Sequence, residues 1–132
     1  MKAVHQTGDV IRMDKVVETA DLATFETGNV HSFYGTFALG RDVEWACRQF
    51  VLNMKNEDEE GIGTFLNISH KSPAMLGETV SITTTLIKLE GNTVDCGFEV
   101  YVGERLVAEG TQGQKILKKE KVARLIESLI RG

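Results

Sequence analysis

From about Phe37 to Lys55, apolar residues recur at i, i+3 and i+4, so Leu39, Val43, Ala46, Cys47, Phe50, Val51 and Met54 fall on one face of a helix. That stripe is too wide to leave in water and predicts a deeply packed element. On either side the period changes to two. Residues 9–19, DVIRMDKVVET, read as a first strand, and the polar, turn-rich ADLATFETGNVHS after it is long enough to be a lid. NEDEEG is a charged turn that ends the helix, and Gly61 and Gly63 lead into GTFLNISH, residues 63–70. There Thr64, Leu66, Ile68 and His70 share one face, while Phe65, Asn67 and Ser69 share the other. TVSITTTLIKLE, TVDCGFEVYV and RLVAEGTQGQKIL follow, separated by Gly91 and Asn92 and then by Gly103 and Glu104, the marks of an antiparallel meander. Over residues 118–131, Val122, Leu125, Ile126, Leu129 and Ile130 return to helical spacing and predict a short amphipathic helix.

A strand, a long apolar helix and then sequential strands make an α+β fold, an antiparallel sheet of about five strands wrapped around one central helix, plus a short C-terminal helix. The single proline, Pro73, lies outside every predicted strand and leaves the ladders intact. With 132 residues the chain is read as one domain over 1–132. A small curved sheet has edges to hide, and pairing with a second copy hides them, so a homodimer is expected.

Composition narrows the classes. At 42% hydrophobic and 26% charged, the chain reads as a globular protein, and a net charge of −4 argues against nucleic acid as the main partner. The start, MKAVHQTGDVIRMD, lacks the apolar stretch of a signal peptide, and no run approaches the roughly 20 apolar residues of a membrane span. The expectation is a cytoplasmic protein without a membrane partner. Cys47 and Cys96 lie in apolar-patterned segments without ligand spacing and read as free thiols, and His5 and His31 also lack ligand spacing, so no metal site is expected.

Three residues carry candidate chemistry. Thr36, Glu44 and His70 are a hydroxyl, a carboxylate and an imidazole, the parts of an acyl-transfer site in which the imidazole takes the hydroxyl's proton and the carboxylate orients it or attacks. Each also has a plainer reading. Glu44 pairs with Arg48 four residues on, as an exposed ion pair. Thr36 caps the helix, and His70 is a core histidine satisfied by one hydrogen bond. Geometry adds a condition: within one helix, Thr36 and Glu44 are about 12 Å apart along the axis, so a triad closes only if the helix begins after Thr36 and the preceding segment folds back. Such a start also aims N-terminal N–H groups at an acyl oxygen, offering an oxyanion site. Gly40 in an apolar helix suggests close approach of a substrate or a strand. Phe33, Tyr34 and Phe37 line an acyl pocket or belong to the core.

Thr36, then Glu44-Trp45-Ala46-Cys47, Gly63-Thr64, a strand ending in His70, Pro73, Gly77, Thr79-Val80 and finally Gly110-Thr111 form a pattern that resembles the fluoroacetyl-CoA thioesterase branch of the hot-dog superfamily over about residues 8–120. The resemblance implies a hot-dog fold and hydrolysis of an acyl-CoA thioester by Thr36, Glu44 and His70, with Gly63 beside the acyl group and no cofactor. Tyr34 and Phe37 join Gly63 as candidate substrate contacts, and Arg105, Lys115 and Lys118 are candidates for the CoA phosphates. Two departures stand out: the stretch before Thr36 is not Phe-rich, and Gln114 stands where the branch has an Arg. A short-chain acyl-CoA thioesterase is therefore expected, without strong preference for a fluorinated acyl group. A non-catalytic acyl-CoA or small-acid binding module is the alternative; a hydratase ranks below both, because its GD-x-N-P-x-H-type motif is missing.

Overall fold

The apolar helix stripe forms as expected, and a curved sheet closes over it. The computed structural model describes residues 1–25 and 28–132, and only the backbone of Thr24, Phe25, Asn29 and Val30. Strand β1 spans Val10–Val16; a 3-10 turn at Thr19–Asp21 leads to β2, Leu22–Phe25, and β3, Gly28–Tyr34. Helix α1 covers Thr36–Met54, followed by β4, Glu59–His70, β5, Thr79–Glu90, β6, Thr93–Val102, β7, Arg105–Lys118, and helix α2, Lys119–Arg131. The main sheet is antiparallel in the order β1-β5-β6-β7-β4, while β2 and β3 pair separately as a hairpin.

Leu39, Val43, Ala46, Cys47, Phe50, Val51 and Met54 of α1 are all buried. They pack against the inward rows Val80, Ile82, Leu86 of β5 and Val94, Cys96, Phe98, Val100 of β6, which alternate with less buried residues as a half-solvated sheet requires. Cys47 and Cys96 are buried free thiols in that core. Gly40 admits a strand: a Cβ there would meet Leu66 and Ile68 of β4 at 3.5 and 3.4 Å. α2 has no buried residue, and no helix among the described residues is long and apolar enough to cross a membrane.

Several local expectations are corrected. The first strand is shorter than 9–19. Within the stretch read as long enough to be a lid, the described residues form the 3-10 turn and the β2–β3 hairpin, joined to the body where Tyr34 N–H donates to the Ala74 carbonyl at 2.8 Å. Residues 26 and 27 of that stretch, and the Phe25 side chain, lie outside the described residues. β4 begins within the charged run NEDEEG, because Glu59 and Glu60 pair with Lys118 and Leu117 of β7. A bulge between Gly63 and Phe65 then adds one residue to β4. It lays the Phe65 ring over Gly113, where a Cβ would come within 2.2 Å.

The same close approach is tighter at Gly110, where a Cβ would fall 1.8 Å from the Asn67 carbonyl oxygen and 2.8 Å from the Phe98 ring. Gly110→Ala must therefore part β4 from β7, and we expect it to destabilise the fold by about 1–3 kcal/mol, read as a lower denaturant midpoint at unchanged slope.

Candidate active site

The N-terminus of α1 is fixed by a glycine. Gly35 donates its N–H to the Asp21 carbonyl at 2.8 Å and accepts the Leu39 N–H at 2.9 Å, so it is the N-cap. A side chain at this position would press on the Ala23 backbone at 3.0–3.1 Å. The helix consequently begins at Thr36 itself, not after it, and the Thr36 hydroxyl makes no capping bond. Both the capping role and the later start are corrected by this packing.

With its hydroxyl unspent on the backbone, Thr36 turns to the end of β4. Its Oγ1 lies 3.0 Å from Nδ1 of His70. His70 is held there because the next two residues, Lys71 and Ser72, both donate their N–H groups to the Val107 carbonyl, at 2.7 and 3.1 Å. The second ring nitrogen, Nε2, is buried without a hydrogen-bond partner among the described residues. Burial lowers the His70 pKa from its ordinary 6.5, the neighbouring Ser72 backbone pulls back upward, and His31 pushes it down again. A ring biased toward its neutral form is a ready proton acceptor at neutral pH.

Thr36 and His70 line a cleft of about 930 Å³ between the β2–β3 hairpin and the N-terminus of α1. Its walls are largely apolar, from Leu22, Ala23, Phe33, Phe37, Ala38 and Pro73. Tyr34, expected at the substrate, is almost wholly buried in the wall, and its hydroxyl donates to Asp42. Phe37 stands at the mouth with 91% of its surface exposed.

Behind the cleft lies an ion cluster that sequence reasoning missed. Lys15 bridges Asp21 and Asp42 at 2.9 and 2.8 Å, and Arg41 bridges the same two carboxylates at 2.7 and 3.1 Å. Burial pushes the Asp21 carboxyl up, but Lys15, the Glu18 N–H and Arg41 together hold it below the usual carboxylate range. The cluster joins β1, the 3-10 turn and α1. Its members are spread over residues 15–42 without a shared period, so no sequence pattern announces it.

Glu44 stands apart. It is exposed, about two turns along α1 from Thr36. It borders a second depression with Trp45, Arg48, Gly63, Gln112 and Gln114. The expected pairing with Arg48 is absent, because Arg48 donates to Glu60 at 2.7 Å. Within one chain, then, Thr36 and His70 meet, whereas Glu44 and Gly63 share a different hollow. Of the candidate phosphate contacts, Arg105 is held by the Pro73 carbonyl and Glu78, and Lys118 by Asp58.

A family model described as fluoroacetyl-CoA-specific thioesterase matches residues 17–120. Among solved structures, a hypothetical protein of Thermus thermophilus, a thioesterase superfamily member, superposes with a TM-score of 0.88 at 32% identity, covering 96% of this chain and 93% of that one. A variant of the fluoroacetyl-CoA-specific thioesterase FlK gives 0.86 at 20% identity, covering 96% and 98%. A hot-dog-like protein from Thermanaerovibrio acidaminovorans gives 0.86 at 22%, covering 96% and 93%. No curated protein matches the sequence.

The lowered His70 pKa has a measurable sign. The folded chain binds this proton less readily than the unfolded chain, so the ring's contribution to stability is complete above pH 6.5 and is lost as the pH falls below it. A ring-proton NMR titration should place the His70 inflection below 6.5, and His70→Gln should flatten the fall in denaturant midpoint between about pH 6.5 and 5.

Proposed function

The chain belongs to the fluoroacetyl-CoA-specific thioesterase family, and from that membership and the geometry of its cleft we propose that it hydrolyses a short-chain acyl-CoA thioester to the free acid and CoA. The observation that carries this reading is the 3.0 Å approach of Thr36 Oγ1 to His70 Nδ1 at the wall of an apolar cleft. His70 takes the proton of the Thr36 hydroxyl, or of a water that the hydroxyl holds, as oxygen adds to the thioester carbon. The C–S bond then breaks, and the same imidazolium returns the proton to the CoA sulfur. Where the Thr36 oxygen attacked, a water whose proton His70 takes then adds to the acyl-Thr36 ester, the C–O bond breaks, and the proton returns to the Thr36 oxygen as the free acid leaves. The first-turn N–H groups of α1, at Phe37 and Ala38, border the cleft and suit the oxygen that becomes negative during addition.

Glu44 enters through a second copy. β4 is a sheet edge, and Ile62, Phe65 and Leu66 on it are exposed together with Phe37 and Trp45 of α1, an apolar surface suited to a homodimer. α1 runs antiparallel to β4: Gly40 lies over Leu66 and Ile68, and Gly61 lies against Val51 and Arg48. Glu44 therefore stands level with the stretch around Gly63 and Thr64, and Thr36 level with His70. A two-fold axis beside Asn67 that joins two β4 edges sets the first level of one copy against the second level of the other. Glu44 and Gly63 of one protomer then complete the cleft of its partner, and the separation of about 12 Å within α1 no longer matters.

Release of free thiol from a panel of acyl-CoAs tests the activity; ligand-induced thermal protection without thiol release would indicate a binding module instead. Thr36→Ala and His70→Ala should each lower kcat by about 10²–10⁴, and combining them should add little, because residues acting as a unit are strongly non-additive. Mixing inactive Thr36→Ala and Glu44→Ala proteins, with exchange of subunits, should restore about a quarter of wild-type activity, since half the dimers are mixed and each holds one intact site. No recovery despite demonstrated exchange would refute the shared site. Because the hairpin lacks a Phe-rich run, fluoroacetyl-CoA should be preferred over acetyl-CoA by less than about 10³ in kcat/KM.

A further inference from the structure

The polar groups lining the cleft are nearly all committed. Thr36 and His70 bond each other; the Tyr34 hydroxyl donates to Asp42; the Ser72 hydroxyl donates to the Leu106 carbonyl at 2.7 Å; and Arg41 is divided between Asp21 and Asp42. Besides Nε2 of His70, which belongs to the reacting pair, His31 and Lys71 keep polar side-chain atoms without a hydrogen-bond partner among the described residues. Lys71 directly follows His70 and is exposed at the strand end. His31 sits on β3, in the hairpin wall, and lines the same cleft as Thr36 and His70.

The state of the His31 ring follows from its backbone. Phe33 N–H donates to His31 Nδ1 at 3.1 Å, and the two rings lie 5.1 Å apart. An Nδ1 that accepts a hydrogen bond cannot carry the proton, so the neutral ring has it on Nε2. His31 is thereby turned into a single fixed N–H donor on an otherwise apolar wall. His31 is exposed, so water meets its donor; a plain alkyl chain laid over it displaces that water without replacing the bond, which costs binding, whereas an oxygen acceptor on the acyl chain satisfies it.

We propose that Nε2–H of His31 recognises an oxygen carried by the acyl group itself, so that the preferred substrates are short hydroxy-, oxo- or carboxyacyl-CoAs. This rests on the thioesterase reading above and narrows its substrate class. His31 is a specificity residue in this scheme and takes no part in proton transfer.

The test compares kcat/KM for 3-hydroxybutyryl-, acetoacetyl- and succinyl-CoA with that for butyryl-CoA. The wild-type protein should favour at least one oxygenated substrate by about tenfold or more. His31→Leu should abolish the preference, and His31→Gln, whose amide nitrogen replaces Nε2, should keep most of it. The inference is overturned if no oxygenated substrate exceeds butyryl-CoA, if His31→Leu lowers all four alike, or if Lys71→Ala removes the preference instead. Calorimetric binding of the same four thioesters to the wild-type and His31→Leu proteins decides the matter even if none is hydrolysed. Absence of all turnover would defeat the thioesterase reading alone, and equal affinities would defeat this one.

Discussion

The contact of the Gly35 backbone with Asp21 and Ala23 sets where the Thr36 hydroxyl meets His70. It fixes the first turn of α1, and that turn decides where the Thr36 hydroxyl points. A side chain at residue 35 would meet the Ala23 backbone at 3.0 Å and lift the helix from the hairpin. Because Gly35 supplies no side-chain cap, the first-turn N–H groups stay unmet by side chains. The protein gives up only about a few tenths of a kcal/mol of helix capping at this point and leaves the positive end of the helix free to face a ligand.

The hairpin that Gly35 leans on needs its own anchor, and the cluster of Lys15, Asp21, Arg41 and Asp42 supplies it. Two cations and two carboxylates sum to zero charge, so the cluster adds no net charge beside the cleft. A buried Asp21 stripped of either cation would be an uncompensated charge, costly out of proportion to the net worth of the pairing. Its value is placement more than stability. It locks the 3-10 turn against α1, and Tyr34 continues the connection from β3 through its hydroxyl to Asp42.

The elements legible in the sequence are those whose signal is periodic. The stripe from Leu39 to Met54 demanded burial, and the alternation of Val80, Ile82, Leu86 and of Val94, Cys96, Phe98, Val100 demanded a half-covered sheet; both follow from apolar area alone. What remained illegible depends on distant partners. Nothing near Arg48 in the chain announces Glu60, twelve residues on, as a better partner than Glu44. The β2–β3 hairpin has short strands and polar residues, which look like loop until Tyr34 and Phe33 reach Ala74 and Met75. The bulge between Gly63 and Phe65 shows only as a register shift against β7. Of the candidate site, the motif pointed to Thr36, Glu44 and His70 together, yet only Thr36 and His70 meet in one chain.

That separation bears on how a carboxylate is tuned. A Glu built into the same cleft as His70 would titrate against it in every state of the chain, and its charge would raise the ring's pKa. Glu44 instead sits in water in the single chain, free of the cost of burying a charge while the chain folds. If it enters the cleft only when two β4 edges join, desolvation and the approach of His70 arrive in one step, after the fold is complete. Assembly then does what burial does in a single-chain site: it switches on the interaction between base and orienting carboxylate, and makes the chemistry conditional on the dimer.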